Sequence, residues 1–338
     1  MFSFANFVDL PLIWGGLIAT AIFVYVFLDG FDLGIGILMP FAPSEKDKTR
    51  MFNSIAPFWD ANETWLVLGG GGLFAAFPLA YSIVLPALYI PVIVMLLGLI
   101  FRGVAFEFRF KSDGKHRQFW TYAFHFGSLC AAMMQGIILG GYVQGIAVDD
   151  RSFSGGTFDW LTPFALMTGL GLTSGYILLG STWLIWKTEG ELQIWARKCA
   201  SYIGLFVVIF MGIVSLWVPH FNNNIKERWF GPAFWALLPM PVLTAFMFYI
   251  YYRILESRHD WAPFAIGMVI FLLGFLGLGA SLWPYVVPFE ITLADAASAP
   301  ESLSLLLAGA VIMLPVVLGY TAWCHYIFRG KTSHEAMY

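Results

Sequence analysis

The chain has 338 residues, of which 59% are hydrophobic, 18% aromatic and only 12% charged, with 18 Lys and Arg against 21 Asp and Glu for a net charge of -3. Such a composition excludes a soluble globular domain and a nucleic-acid-binding protein, and assigns the chain to the integral membrane proteins. The charges are too few and too scattered for their sum to indicate a partner.

No Lys or Arg precedes Asp9, and no short apolar core ends in a small-residue cleavage site, so the first apolar segment reads as a retained span. A helix needs about 20 mostly apolar residues to cross a hydrocarbon layer of about 30 Å. On that criterion spans fall at about 12–39, 58–78, 80–101, 119–145, 163–186, 199–218, 233–254, 262–283 and 305–328, nine in all, in one polytopic domain covering 1–338. The second and third come from one uncharged run, Thr64 to Phe101, which is too long for a single crossing. Phe77-Pro78 and Pro86 mark a turn inside it.

Of the 18 Lys and Arg, all but Arg151, Lys226 and Arg228 fall in alternate links: Lys46 to Arg50, Arg102 to Arg117, Lys187 to Lys198, Arg253 with Arg258, and Arg329 with Lys331. The positive-inside rule then orients the chain with a periplasmic N-terminus and a cytoplasmic C-terminus. The links are short, which locates any chemistry in the membrane or in a partner. The first and fifth spans share an apolar, glycine-spaced character that carries no further conclusion.

Intramembrane carboxylates are costly, about 2.5–3.5 kcal/mol on insertion scales, and are usually kept for pairing or transport. Asp29 lies ten residues before Met39, hence about 15 Å from the inner end of its helix. Asp32 follows three residues later on the same face, among Gly30, Gly34 and Gly36, which allow close helix approach. Asp60 and Glu63 form a second pair of the same spacing in the first turn of the next span, after Pro57. From the inner side the order is Asp60 and Glu63, then Asp32, then Asp29, as in a proton-conducting ladder. Two other readings are open: Asp60 and Glu63 as a helix cap on a favourable dipole, and a buried ion pair of the carboxylates with Arg102, which follows the third span on the same side and is compatible with proton conduction.

Trp59 and Trp65 read as interfacial anchors. The run Gly69 to Gly72 lacks the Lys-Ser/Thr of a phosphate loop and reads as a close-packing surface. Cys130, Cys199 and Cys324 are too far apart for a metal centre and read as packing residues. His116, His220, His259 and His334 fall in links or the tail; only His125 and His325 lie in spans, and without Cys-x-x-Cys-His the case for haem ligation by this chain is poor. The Met and aromatic residues, Met133, Met134, Phe246, Met247, Phe248 and Phe271 among them, read as packed or lipid-facing surface rather than a quinone groove. No metal site is expected.

Several motifs in chain order carry a resemblance. They are Leu28-Asp29-Gly30-Phe31-Asp32-Leu33-Gly34, Ser54-Ile55-Ala56-Pro57 leading into Trp59-Asp60-Ala61-Asn62-Glu63-Thr64-Trp65, and Phe101-Arg102-Gly103-Val104-Ala105-Phe106-Glu107. With Lys187-Thr188-Glu189-Gly190-Glu191-Leu192, Trp283-Pro284-Tyr285 and Tyr320-Thr321-Ala322-Trp323-Cys324, the chain resembles subunit II of the cytochrome bd-type ubiquinol oxidases from its first span to its last. The resemblance implies a bacterial cytoplasmic (inner) membrane complex that oxidises ubiquinol and reduces dioxygen to water, with haems b558, b595 and d in a haem-bearing subunit I and none in this chain. It implies stabilisation of subunit I, a proton route involving Asp29 and Asp60 toward the subunit interface, contact with membrane lipid, room for a structural ubiquinone, and a small single-span accessory subunit in some complexes. Ala61 stands where many members have Gly, and Ala294 where Trp is common, departures that fit a cyanide-insensitive branch and leave the carboxylates intact. The readings from other classes are a stand-alone secondary transporter, for which midplane carboxylates would also serve, and a purely structural scaffold.

Overall fold

The computed structural model of the chain describes residues 9–332; His334 lies outside them. Among the described residues, eight helices are long and apolar enough to cross a membrane. In chain order they are α1 (Leu10–Leu38), α4 (Pro78–Phe110), α5 (Gly114–Val143), α6 (Pro163–Lys187), α7 (Glu191–Trp217), α10 (Pro239–Leu255, preceded by the short α9, Phe234–Leu237), α11 (Ala262–Leu282) and α13 (Pro300–Ile327). Between α1 and α4 lie α2 (Glu45–Ile55) and α3 (Trp59–Ala76); α8 (Asn223–Phe230) and α12 (Leu293–Ala296) sit in links.

The 18 residues of α3 extend about 27 Å. Its acidic first turn and its four consecutive glycines keep it below the apolarity of the other eight. It nonetheless runs through the bundle, because Ser298, just before α13, bonds to the carbonyls of Ala75 and Ala76 at its far end. Eight spans are thus evident from length and apolarity, and α3 supplies the ninth segment by position. The expected turn between the second and third spans falls at Phe77, and Pro78, which has no amide hydrogen to donate, opens α4. Pro86 lies inside α4 instead, where the backbone departs from helical at Leu88.

Two expectations about the inner links change. The sequence ends the third span near residue 101 and leaves Arg102 in a link, but α4 continues to Phe110 and buries both Arg102 and Arg109 completely. The helix need not stop at its first charge because each guanidinium has a neighbour in the bundle: Arg102 meets carboxylates, and Arg109 lies 4.2 Å over the Phe52 ring while its Nε donates to Thr121. Phe52 comes from α2, a helix that the high charge of residues 45–50 concealed. Ser44 caps it, accepting from the Asp47 amide, and Met51, Phe52 and Ile55 form its buried side.

Hydrogen bonds between links reveal the alternation of the spans. Arg50 donates to the Glu189 carbonyl, Arg117 to Thr49, Lys187 to the Phe328 carbonyl, and Lys331 to the Thr188 carbonyl. These links share one end of the bundle, here the basic end. Two short β-hairpins, Val148–Asp149 with Ser152–Phe153 and Tyr285–Val287 with Ile291–Thr292, lie in links of the other set. That set is tied together by Tyr142 donating to the Val286 carbonyl and Arg151 to that of Asp295.

At the basic end, Asp260 accepts 2.6 Å hydrogen bonds from Arg197 and Lys331. Partial burial opposes its ionisation, but the hydrogen bonds from Lys331 and Gln193 and the charges of Lys331 and Arg197 outweigh it and hold the carboxyl below its ordinary value of 3.8. A carboxyl depressed on folding contributes stability above its unfolded value, which is lost as pH falls through the folded one. Asp260→Asn is therefore expected to speed amide exchange in residues 329–332 at pH 7 and to converge on wild type in strong acid. Since the pair is partly exposed, the effect is below about 1 kcal/mol.

The core is built on the crossing of α1 with α6 and of α4 with α5. A Cβ at Gly34 would overlap the Tyr176 carbonyl oxygen, and one at Gly127 would lie 2.9 Å from the Arg102 amide nitrogen. In a membrane such small-residue contacts replace the hydrophobic effect as the source of helix association. Gly34→Val is expected to cost at least about 1–3 kcal/mol, seen as a lowered thermal midpoint. Gly16→Ala on the same helix, where a Cβ meets nothing within 4 Å, should leave the midpoint unchanged.

Candidate functional site: a buried arginine among three carboxylates

Helix α1 presents Asp29 and Asp32 on one face, three residues apart. Its register is set by Phe31, which stacks on Trp183 of α6 at 4.2 Å, and by Gly30 and Gly34, which admit Tyr176. From α4 comes Arg102, whose backbone is brought inward by the Gly98–Gly127 contact and whose guanidinium carbon lies 6.0 Å from the Phe124 ring. From α3 come Asn62 and Glu63.

Arg102 Nη1 donates to Asp29 Oδ1 at 2.8 Å and to Glu63 Oε1 at 3.2 Å, while Nη2 lies 3.9 Å from Asp32 Oδ2. Asp32 is held instead by Asn62, whose amide donates to Asp32 Oδ2 at 2.7 Å and to the Leu28 carbonyl at 3.2 Å. Asp29, Asp32 and Arg102 are fully buried, whereas the Glu63 side chain is 30% exposed. Glu63 is therefore the member that connects the cluster with the exterior of the chain. Asp29 Oδ2, Asp32 Oδ1, and Arg102 Nε and Nη2 have no hydrogen-bond partner among the described residues.

One guanidinium neutralises one carboxylate. The group is neutral only when two of its three carboxyls carry protons, and burial makes excess charge expensive. Chemically, the arrangement can hold and release protons at fixed positions.

The structure brings together Asp29, Asp32, Glu63 and Arg102. Asp60 stays apart, exposed on the first turn of α3 and without an ion pair among the described residues. Asp32 stands beside the line from Glu63 through Arg102 to Asp29 rather than within it. Trp59 lies half-buried with its ring 4.7 Å from that of Phe106, and Trp65 is only 4% exposed, in the core. Of the glycine run, Gly69 and Gly72 pack against Ile22 and Ile18 of α1, and Gly70 and Gly71 face outward.

Sequence reasoning missed Asn62, although it sits between two singled-out acids, and missed Tyr25, Gln135 and Tyr176. Gln135 offered a signal: it is an uncharged but strongly polar residue in the middle of an apolar helix.

The Nδ1 atoms of both intramembrane histidines lie against backbone carbonyls, of Ile37 for His125 and Thr321 for His325. The Phe58 ring stacks on His325 at 4.4 Å, and Phe41 and Phe126 lie 5.9 and 5.0 Å from His125. Among the described residues no three His, Cys, Asp or Glu form a group fit for a metal ion.

Residues 10–328 match the family model for cytochrome bd terminal oxidase subunit II. The chain belongs to that family. It is 31% identical to cytochrome bd ubiquinol oxidase subunit 2 of Bacillus subtilis (strain 168), covering 96% of this chain and 97% of the relative. To cytochrome bd-I ubiquinol oxidase subunit 2 of Escherichia coli (strain K12) it is 29% identical over 96% of each. Its fold resembles a chain of the bd oxidase from Geobacillus thermodenitrificans, with a TM-score of 0.76 at 17% identity, over 95% of this chain and 99% of the other. As a bd oxidase subunit II it is a multi-pass membrane component of an oxidoreductase complex, and its membership implies a subunit I partner.

Proposed function

We propose that this subunit stabilises the haem-bearing subunit I of a quinol:dioxygen oxidoreductase in the bacterial inner membrane and supplies it with protons through the Arg102 cluster. The observation that carries the reading is the 2.8 and 3.2 Å bridge of one guanidinium between fully buried Asp29 and partly exposed Glu63. The basic end faces the cytoplasm by the positive-inside rule. Asp60, on the outer surface of α3, and Glu63 collect protons there; Arg102 fixes both Glu63 and Asp29 in place, and Asp32 adds a second buried acceptor. The exposed face of α3 mixes Asp60, Thr64, Gly70 and Gly71 with Val67, Leu68 and Phe74, and we read it as the seat for subunit I at the mouth of this route. Haems b558, b595 and d, which supply the oxygen chemistry, belong to subunit I, as does the reacting ubiquinol; a structural ubiquinone and a single-span accessory subunit fit the same complex.

The tagged chain, purified from its own host in mild detergent, is expected to bring b and d haems with it in a reduced-minus-oxidised spectrum. A colourless chain that moves a substrate alone would identify a transporter instead. The 2.8 Å Arg102–Asp29 pair equally favours a static lock, in which the cluster only joins α1, α3 and α4; the carboxylate substitutions discussed below separate lock from route.

A further inference from the structure

Behind Asp29, away from Glu63, runs a file of buried polar side chains that the proton route does not use. Tyr176 on α6 donates its hydroxyl to Gln135 Oε1 at 2.6 Å, and Gln135 on α5 donates from Nε2 to the Tyr25 hydroxyl oxygen at 2.7 Å. The three side chains are 0%, 9% and 3% exposed. Because Tyr25 accepts from Gln135, its own hydroxyl hydrogen is available to another acceptor. Asp29 stands one turn further along α1 on the same face, and its buried Oδ2 has no hydrogen-bond partner among the described residues. The donors of the file therefore run from Tyr176 through Gln135 to Tyr25, the residue one turn from Asp29.

We propose that Tyr25, fixed by Gln135 and Tyr176, is a positioning residue that donates to the carboxyl of Asp29 and holds it in the orientation that faces Arg102. The file is unsuited to conduct protons itself. A primary amide such as that of Gln135 is a poor relay, since passing a proton would require its less stable imidic tautomer. The far end is also closed: the Tyr176 ring packs against Gly30 and stacks with Phe271 at 6.3 Å. What the file does instead is tie α1, α5 and α6 to one oxygen atom. A hydroxyl that spans only one turn of its own helix is sharply placed when a neighbouring amide fixes its other lone pair, and buried networks of this kind are rigid when complete. The inference rests on the proton-route reading for its effect on turnover, though not for its effect on Asp29.

The test uses the assembled oxidase with Tyr25→Phe, Tyr176→Phe and, as a control, Tyr251→Phe, whose hydroxyl donates to the Ala200 carbonyl remote from the site. The readouts are haem content, quinol-oxidase kinetics, and the infrared carboxyl and carboxylate bands of Asp29, assigned by their loss in Asp29→Asn. Tyr25→Phe is expected to keep its haems, to shift the Asp29 bands, and to lower kcat by about tenfold with KM for quinol unchanged, the scale of a small misplacement in a proton-transfer geometry. Tyr176→Phe, acting through Gln135, should shift the same bands in the same direction by less, and Tyr251→Phe should not shift them. Asp29 bands identical to wild type in both Tyr25→Phe and Tyr176→Phe overturn the proposal, whatever the turnover. Shifted bands with full turnover uphold the positioning role and count against the proton route instead. If Tyr25→Phe fails to assemble, Tyr176→Phe decides by the same bands.

Discussion

Arg102→Gln is expected to lower the thermal midpoint and yield of the assembled complex more than any other single substitution in this subunit. Its guanidinium is fully buried and serves Asp29 and Glu63 directly, with Asp32 at 3.9 Å. Removing one partner of a buried pair leaves uncompensated charge, a loss of about 3–5 kcal/mol. The carboxyls can answer by binding protons, so the deficit should be smaller at pH 5 than at pH 8. Arg102→Lys should fall between, because an ammonium is a point charge and cannot reproduce the planar fork that reaches two helices. Combining Arg102→Gln with Asp29→Asn should recover part of the loss by removing the charge left behind. A midpoint unchanged from wild type at pH 8 would show that the pair contributes nothing, and would end the case for a charge-balanced cluster. The midpoint is measured by the loss of haem absorbance on heating, with the soluble fraction as a second probe.

Asp29→Asn is expected to retain the haem spectrum and to reduce quinol-oxidase turnover on the order of a hundredfold, the scale on which a positioned acid or base contributes. Asparagine keeps the shape and the oxygen that accepts from Arg102 at 2.8 Å, so α1 stays in place, but it can neither bind nor release a proton. Glu63→Gln should be milder than Asp29→Asn, because its side chain is 30% exposed and water can stand in for it. Asp60 is more exposed still, and Asp60→Asn should be the mildest of the three. Full turnover in Asp29→Asn would refute the proton route and leave the static lock; loss of haem in every carboxylate variant would also favour the lock. The informative pattern is graded turnover at constant haem content.

How far the site was legible follows from the nature of each signal. Asp29 and Asp32 stand out in the sequence because charge in an apolar helix is rare and costly, and Asp60 and Glu63 because they interrupt the start of a span. Arg102 was recognised as their candidate partner, yet its location was misjudged, since a single charge looks like the end of a membrane helix until its partners are known. Trp65 looked like a headgroup anchor for a similar reason: tryptophan at a span's start is usually interfacial, and only packing shows it to be 4% exposed. Helix α2 was hidden by its charged first turn, and α3 is legible as a crossing only together with its neighbours.

Hydropathy, basic-residue alternation and the ordered motifs were enough for the membrane class, eight of the nine expected segments and the family, because those properties belong to local stretches of chain and the bilayer reads them one helix at a time. Which carboxylate meets the arginine was decided by the crossing of α1, α3, α4 and α5, where glycine contacts between helices set distances that no single helix encodes. The separation of Asp60 from Glu63, the capture of Asp32 by Asn62, and the file from Tyr176 to Tyr25 have the same origin. Each depends on residues up to 110 positions apart in the chain, and only tertiary packing brings them within a hydrogen bond.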